Sequence, residues 1–128
     1  MTKKILLDTN FLLIPYQFNV DIFSEIDRIM LEKYQLFVLD KTIDELKKIT
    51  KDKKQKLRNR NAAKLALQLI KVKKVKILKT KEDLPVDELI VKLKEYIIAT
   101  QDIALKNRLK AKRVKIITLR AKKTLIFT

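Results

Sequence analysis

A chain of 128 residues that is 47% hydrophobic carries enough apolar material for one hydrophobic core, so its 36% charged fraction does not make it disordered. It contains no Cys, no His and no Gly. That excludes disulfides, thiolate or imidazole chemistry and glycine-rich phosphate loops, leaving carboxylates, hydroxyls, amides, Lys/Arg or a hard, oxygen-bound metal ion. The 31 basic against 15 acidic residues give a net charge of +16, which points to a polyanionic partner, most often nucleic acid.

No apolar run approaches the roughly 18 residues of a membrane span, and Met1-Thr2-Lys3-Lys4 leads into a strand rather than a signal peptide. The expectation is one soluble, cytoplasmic domain over 1–128 with no membrane partner. In chain order, Lys4-Ile5-Leu6-Leu7 predicts a buried strand ending at Asp8, and 11–14 a helical turn stopped by Pro15. A helix over 21–32 is capped near Asp21. Leu36-Phe37-Val38-Leu39 reads as a second strand ending at Asp40; Ile43, Leu46 and Ile49 mark a short helix, and about 55–71 a longer one. After a third strand at 75–78, Val86, Leu89, Ile90 and Leu93 form a helical stripe. A fourth strand at 96–100, a helix at 103–112, a fifth strand within 114–119 and a possible edge strand at 124–127 complete the chain. Strands alternating with helices predict an α/β three-layer sandwich around a mainly parallel, about five-stranded sheet.

Charge is segregated. Residues 1–45 carry 5 basic and 8 acidic groups and 82–102 carry 2 and 6, whereas 46–81 carry 15 and 1 and 103–128 carry 9 and 0. In parallel α/β sheets the functional cleft lies beyond the strands' carboxyl ends, the rim that helix N-termini also face. Asp8, Asp40 and Asp102 sit at or just past strand ends, and Glu45, Asp87 and Glu88 fall in first helical turns. Each acid has an ordinary reading. Asp8 fits a turn or N-cap, Thr42 and Glu45 a capping box, Asp87 a helix-dipole position and Asp102 an N-cap. Together they would repel and raise one another's pKa unless a cation neutralised them, so a divalent-metal site explains the set better.

The segments Ile5-Leu6-Leu7-Asp8-Thr9-Asn10-Phe11, Thr42-Ile43-Asp44-Glu45-Leu46, Val86-Asp87-Glu88-Leu89-Ile90 and Ile98-Ala99-Thr100-Gln101-Asp102, in that order and spacing, resemble the PIN-domain nucleases over essentially the whole chain. The run from Asp8 to Asp21 looks most similar to the archaeal branch related to small-subunit rRNA-processing PIN proteins, and less like the compact VapC toxins. The resemblance implies a PIN-like sandwich and Mg²⁺- or Mn²⁺-dependent endoribonuclease activity. It makes Asp8, Glu45, Asp87 and Asp102 the catalytic quartet, with Asp8, Asp87 and Asp102 as metal ligands. Asn10 and Thr100 become supporting groups, with Glu88 the alternative third acid. Gln101 departs from the family's Thr-Asn-Asp, and 87–102 is a short interval.

Lys47, Lys48, Lys53, Lys54, Lys56, Arg58, Arg60, Lys106 and Arg108 are the expected RNA-backbone contacts; Tyr16, Phe18 and Tyr34 are candidates for base stacking, although with aromatics so few core packing is the favoured reading. The expected partner is RNA, as rRNA or its precursor, with a homodimer as a family-level expectation. The alternatives are a non-catalytic RNA-binding ribosome-assembly factor on the same fold and a VapC-type toxin ribonuclease.

Overall fold

Ile5, Leu6 and Leu7, consecutive in the first strand, have no solvent exposure. Alternate residues of a strand point to opposite faces, so three in a row can be buried only if both faces are covered. Ile5 and Leu7 join one apolar cluster, with Phe11, Ile22, Leu46, Ala63 and Ala66. Leu6 joins another, with Leu89, Ile90, Leu105 and Leu109. The sheet therefore separates two layers of helices.

The computed structural model describes residues 2–128. The elements are β1 (Lys3–Leu7), α1 (Thr9–Leu12), α2 (Ile14–Phe18), α3 (Ile22–Ile29), β2 (Tyr34–Leu39), α4 (Asp40–Lys51) and α5 (Leu57–Val72), followed by β3 (Lys76–Leu78), α6 (Val86–Lys92), β4 (Ile97–Ala99), α7 (Ile103–Ala111), β5 (Ile116–Arg120) and β6 (Thr124–Phe127). They form a six-stranded sheet in the order β3-β2-β1-β4-β5-β6. The first four pairings are parallel and only β5–β6 is antiparallel. This is the expected α/β sandwich, with the edge strand added to the five. No helix among the described residues is long and apolar enough to cross a membrane.

Three local expectations change. Pro15 does not stop a helix: the break falls at Leu13, and Pro15 lies in the first turn of α2, where its missing N–H forfeits no helical bond. Nor does Thr42 cap a helix. Helix α4 already begins at Asp40, so Thr42 lies inside it and is fully buried. Asp40, expected at the acidic rim, is used structurally. Its carboxylate accepts hydrogen bonds from Lys41 N–H (2.8 Å), Thr80 N–H (3.1 Å) and the Thr80 hydroxyl (2.8 Å). Burial works against the Asp40 anion, but these bonds outweigh it and hold its pKa below the ordinary value.

The last strand shows how an exposed sheet edge is closed. Leu125 N–H donates to Glu25 Oε1 (3.0 Å) and Arg28 Nη2 donates to Leu125 O (3.0 Å), so α3 satisfies the backbone of β6 with side chains. With no Gly in the chain, positive φ falls on other residue types, among the described residues on Asn19, Lys74, Glu95, Arg113, Ala121 and Lys122.

Candidate functional site

β1 lies between β2 and β4, and its next residue after the last ladder position is Asp8. Leu7 is in register with Ala99, so Asp8 comes to face Thr100 where both strands end. Backbone bonds continue the ladder there, from Asp8 N–H to Ala99 O (2.9 Å) and from Thr100 N–H to Ile117 O (3.1 Å). Asp8 is buried, with 7% of the residue exposed. Its Oδ1 accepts from Thr9 N–H (2.8 Å), capping α1, and its Oδ2 accepts from the Thr100 hydroxyl (2.6 Å).

Two more acids act on Asp8. Asp102 caps α7 by accepting Leu105 N–H at Oδ1 (3.0 Å), and its own N–H donates to Thr100 Oγ1 (3.1 Å). Glu45, exposed on α4, accepts the Thr9 hydroxyl at Oε1 (2.9 Å), with the Thr42 hydroxyl 3.2 Å from Thr9. Burial pushes the Asp8 pKa up, the bonds from Thr100 and Thr9 pull it down, and the charges of Glu45 and Asp102 raise it further. The net direction is upward. Asp102 is thus a cap, as one reading of the sequence allowed, while Glu45 reaches across to Thr9 instead of closing a capping box.

Asn10 and Gln101 brace this corner. Asn10 Oδ1 accepts Gln101 N–H (3.2 Å). Gln101 Oε1 accepts the Thr118 hydroxyl (2.8 Å) and Leu119 N–H (2.7 Å), anchoring the β4–α7 loop to β5. Thr9, Gln101 and Thr118 did not figure among the site residues expected from the sequence. Thr9 and Gln101 adjoin predicted residues, but Thr118 carries no local signal; only the β4–β5 pairing places it.

Asp87 and Glu88 form a separate group on the first turn of α6. Arg108 of α7 grips Glu88 through both guanidinium nitrogens (2.7 and 3.2 Å), which holds the Glu88 carboxyl below its ordinary pKa. Asp87 accepts Glu88 N–H (3.0 Å), and its charge is felt at Arg108. Neither a hydrogen bond nor a charge effect ties Asp87 to Asp8. Among the described residues, no three carboxylates lie close enough to grip one ion together. None of Asp8, Glu45, Asp87 and Asp102 pairs with a Lys or Arg there.

The basic candidates divide likewise. Lys47, Lys48, Lys53, Lys54 and Lys56 are exposed on α4 and the 52–56 connection. Arg58 donates to Gln17 O, and Arg60 Nε is buried without a partner. Lys106 donates to Thr118 (3.2 Å) and Arg108 is held by Glu88, so both are engaged within the protein. Of the aromatics, Phe18 is exposed beside a cavity of about 520 Å³ lined by Lys54, Lys56 and Arg58. Exposed Tyr16 is met by the Asn61 amide (3.3 Å). Tyr34 begins β2, at the opposite end of the sheet, where burial and Asp27 push its pKa up to about 12.

Comparison with known proteins gives a consistent fold. The family described as PIN like domain matches residues 5–122. Ribonuclease VapC4 of Methanocaldococcus jannaschii is 28% identical over 123 residues, covering 94% of this chain and 92% of that protein. The structure of the PIN domain endonuclease Utp24 superposes with a TM-score of 0.77 at 24% identity, over 97% of this chain and 90% of that one. A domain of a functionally unknown protein from Methanocaldococcus jannaschii has a TM-score of 0.59 at 17% identity, over 94% and 93%.

Proposed function

The chain belongs to the PIN-like domain family, and from that membership we propose that it is a metal-dependent endoribonuclease hydrolysing RNA phosphodiester bonds, with ribosomal-RNA precursors as substrate. The observation that carries the reading is Asp8. A carboxylate buried at the end of a central strand, with two further acids raising its pKa and no Lys or Arg paired to it among the described residues, suits a cation.

The donors fit Mg²⁺ or Mn²⁺. They are hard oxygens, and such ions are commonly bound through one or two carboxylates with water filling the remaining positions, so a cage of three acids is not required. Asp8 and Asp102 are the proposed principal ligands, with Glu45 and Asp87 acting through waters bound to the ion; Asp87 is preferred to Glu88, whose carboxylate Arg108 already holds. Bound there, the ion supplies a water of lowered pKa and neutralises charge on the phosphodiester.

The chain's own residues do the rest. Thr100 and Thr9 fix both oxygens of Asp8, and the Thr9 hydroxyl aims Glu45 toward the same corner, from which it polarises the attacking water. Asn10 and Gln101 hold the Thr100–Asp102 loop in place. Lys47, Lys48, Lys53, Lys54, Lys56, Arg58 and Arg60 hold the RNA backbone, with Phe18 offered to an unpaired base. The setting is the cytoplasm, with a homodimer as the working assembly.

The test incubates structured and single-stranded RNA with wild type and Asp8→Asn in Mn²⁺ or EDTA. Cleavage by wild type in Mn²⁺, lost both in the variant and in EDTA, supports the reading; equal cleavage by both proteins overturns it. One observation favours a second reading. The acids are not gathered into a ready cage, which suits a non-catalytic RNA-binding assembly factor; RNA binding with no cleavage by either protein identifies it. Similarity to Ribonuclease VapC4 keeps a VapC-type toxin ribonuclease as the third, distinguished by growth arrest on expression and relief by a cognate antitoxin.

A further inference from the structure

In a parallel sheet all strand N-terminal ends lie on one rim, here the rim opposite Asp8. Two cavities open there. One of about 540 Å³ is lined by Phe23, Tyr34, Lys73, Lys74 and Lys76. The other, of about 460 Å³, is lined by Tyr96, Lys94, Arg113 and Lys115 among others. Between them Lys4 of β1 places its ammonium 4.5 Å from the Tyr96 ring centre and lies in register with Gln35, which lines the first cavity. Lys73 and Lys76 likewise stand over the Phe23 and Phe37 rings, at 5.7 and 6.0 Å.

Eight cations line these cavities, all exposed; Lys92 pairs with Glu82 (2.6 Å) and Lys112 donates to Val91 O, while the other six have no carboxylate within ion-pairing distance among the described residues. Of the acids nearby, Asp27 accepts the Tyr34 hydroxyl, Glu32 pairs with Lys3, Asp21 feels the charge of Lys73, and exposed Glu95 lines the second cavity beside its five cations. Attraction to helix C-termini accounts for Lys73 and Lys74 after α5 and Arg113 after α7. It does not account for Lys4, Lys76 and Lys115, which sit at strand starts. From β3 to β5 this row crosses four strand spacings, about 19 Å. Cations held over aromatic rings along such a row match a polyanion that also offers faces for stacking.

We propose that this rim is a second RNA-backbone surface, which grips a folded substrate on the pole away from the carboxylates. The proposal rests on RNA being the partner. A folded RNA long enough to pass round the domain touches both poles, whereas a short single strand touches only the carboxylate pole. The rim therefore selects for folded RNA without reading sequence.

The test is a Lys73→Glu/Lys76→Glu/Lys94→Glu/Lys115→Glu variant, checked for an unchanged melting temperature and made in both wild-type and Asp8→Asn backgrounds. In the Asp8→Asn background, affinity for transfer RNA is expected to fall at least about tenfold, and the slope of log affinity against log salt to shrink by about 3, four phosphate contacts at 0.7–0.9 each. Affinity for a short oligouridylate is expected to stay within about twofold, the charge change being far from its site. Equal transfer-RNA affinity and slope in the two proteins overturn the proposal, as does an equal loss for the oligouridylate. Loss of transfer-RNA binding with no cleavage by any protein sustains this surface and refutes the nuclease reading; cleavage with unchanged binding does the reverse.

Discussion

The Thr100 hydroxyl donates to Asp8 Oδ2 at 2.6 Å, joining residues 92 apart in sequence at the ends of adjacent parallel strands. That bond opposes the burial that raises the pKa of Asp8, the most buried acid among the described residues. Replacing Thr100 with Val removes it and leaves a buried carboxylate oxygen unpaired, a loss of about 1–3 kcal/mol in urea unfolding. The Asp8 pKa rises further, so the acid limb of any cleavage profile moves to higher pH, and Thr100→Ser restores both. An unchanged limb in the Val variant would show that Asp8 does not act as the anion.

On the proposed reading, Asp8 also links metal binding to stability. Its folded pKa is above the ordinary value, so ionised Asp8 opposes folding at neutral pH, and the penalty lifts as pH falls through the raised value. Asp8→Asn is therefore expected to melt no lower than wild type. Added Mn²⁺ at a hundredfold its Kd stabilises wild type by about 2.7 kcal/mol and leaves Asp8→Asn unmoved. Equal metal-induced shifts in the two proteins would remove Asp8 from the proposed ligand set.

Asp40 has the opposite linkage. Its folded pKa is depressed, so its contribution is fully present above the unfolded value of 3.8 and is lost as pH falls through the folded one. Asp40→Asn is expected to lower stability by about 1–2 kcal/mol at neutral pH. The gap from wild type narrows below pH 3.8, in melting curves taken across that range. A gap independent of pH would mean that the Thr80 bonds do not depend on the charge.

The β5–β6 turn is improvable. Lys123 N–H donates to Arg120 O (3.1 Å), and both central residues, Ala121 and Lys122, have the positive φ of a type I′ turn. Left-handed backbone costs a residue with a Cβ about 1–2 kcal/mol, and Asn-Gly is the preferred pair there. Ala121→Asn with Lys122→Gly is expected to stabilise by about 1–2 kcal/mol in urea unfolding. A less stable double variant would refute the turn assignment.

The amino-acid order by itself determined the alternation of strands and helices, the continuous apolar run of β1, and the placing of Asp8 and Asp102 at strand ends. These are local properties: periodicity, burial on two faces, and residue types that begin helices. It also segregated the charge, with lysines heavy in 46–81 and 103–128. Tertiary structure alone decided which acids share a field. Glu45 turns from its own helix cap to Thr9, and Asp40 is spent on Thr80, because α4 starts at Asp40 and the 79–85 loop folds against it. Asp87 and Glu88 face Arg108 because α6 and α7 pack together, a pairing that no spacing along the chain encodes. The lysine row opposite Asp8 likewise exists only once parallel pairing brings five strand starts to one edge, since strand order is fixed by long-range packing and not by neighbouring residues.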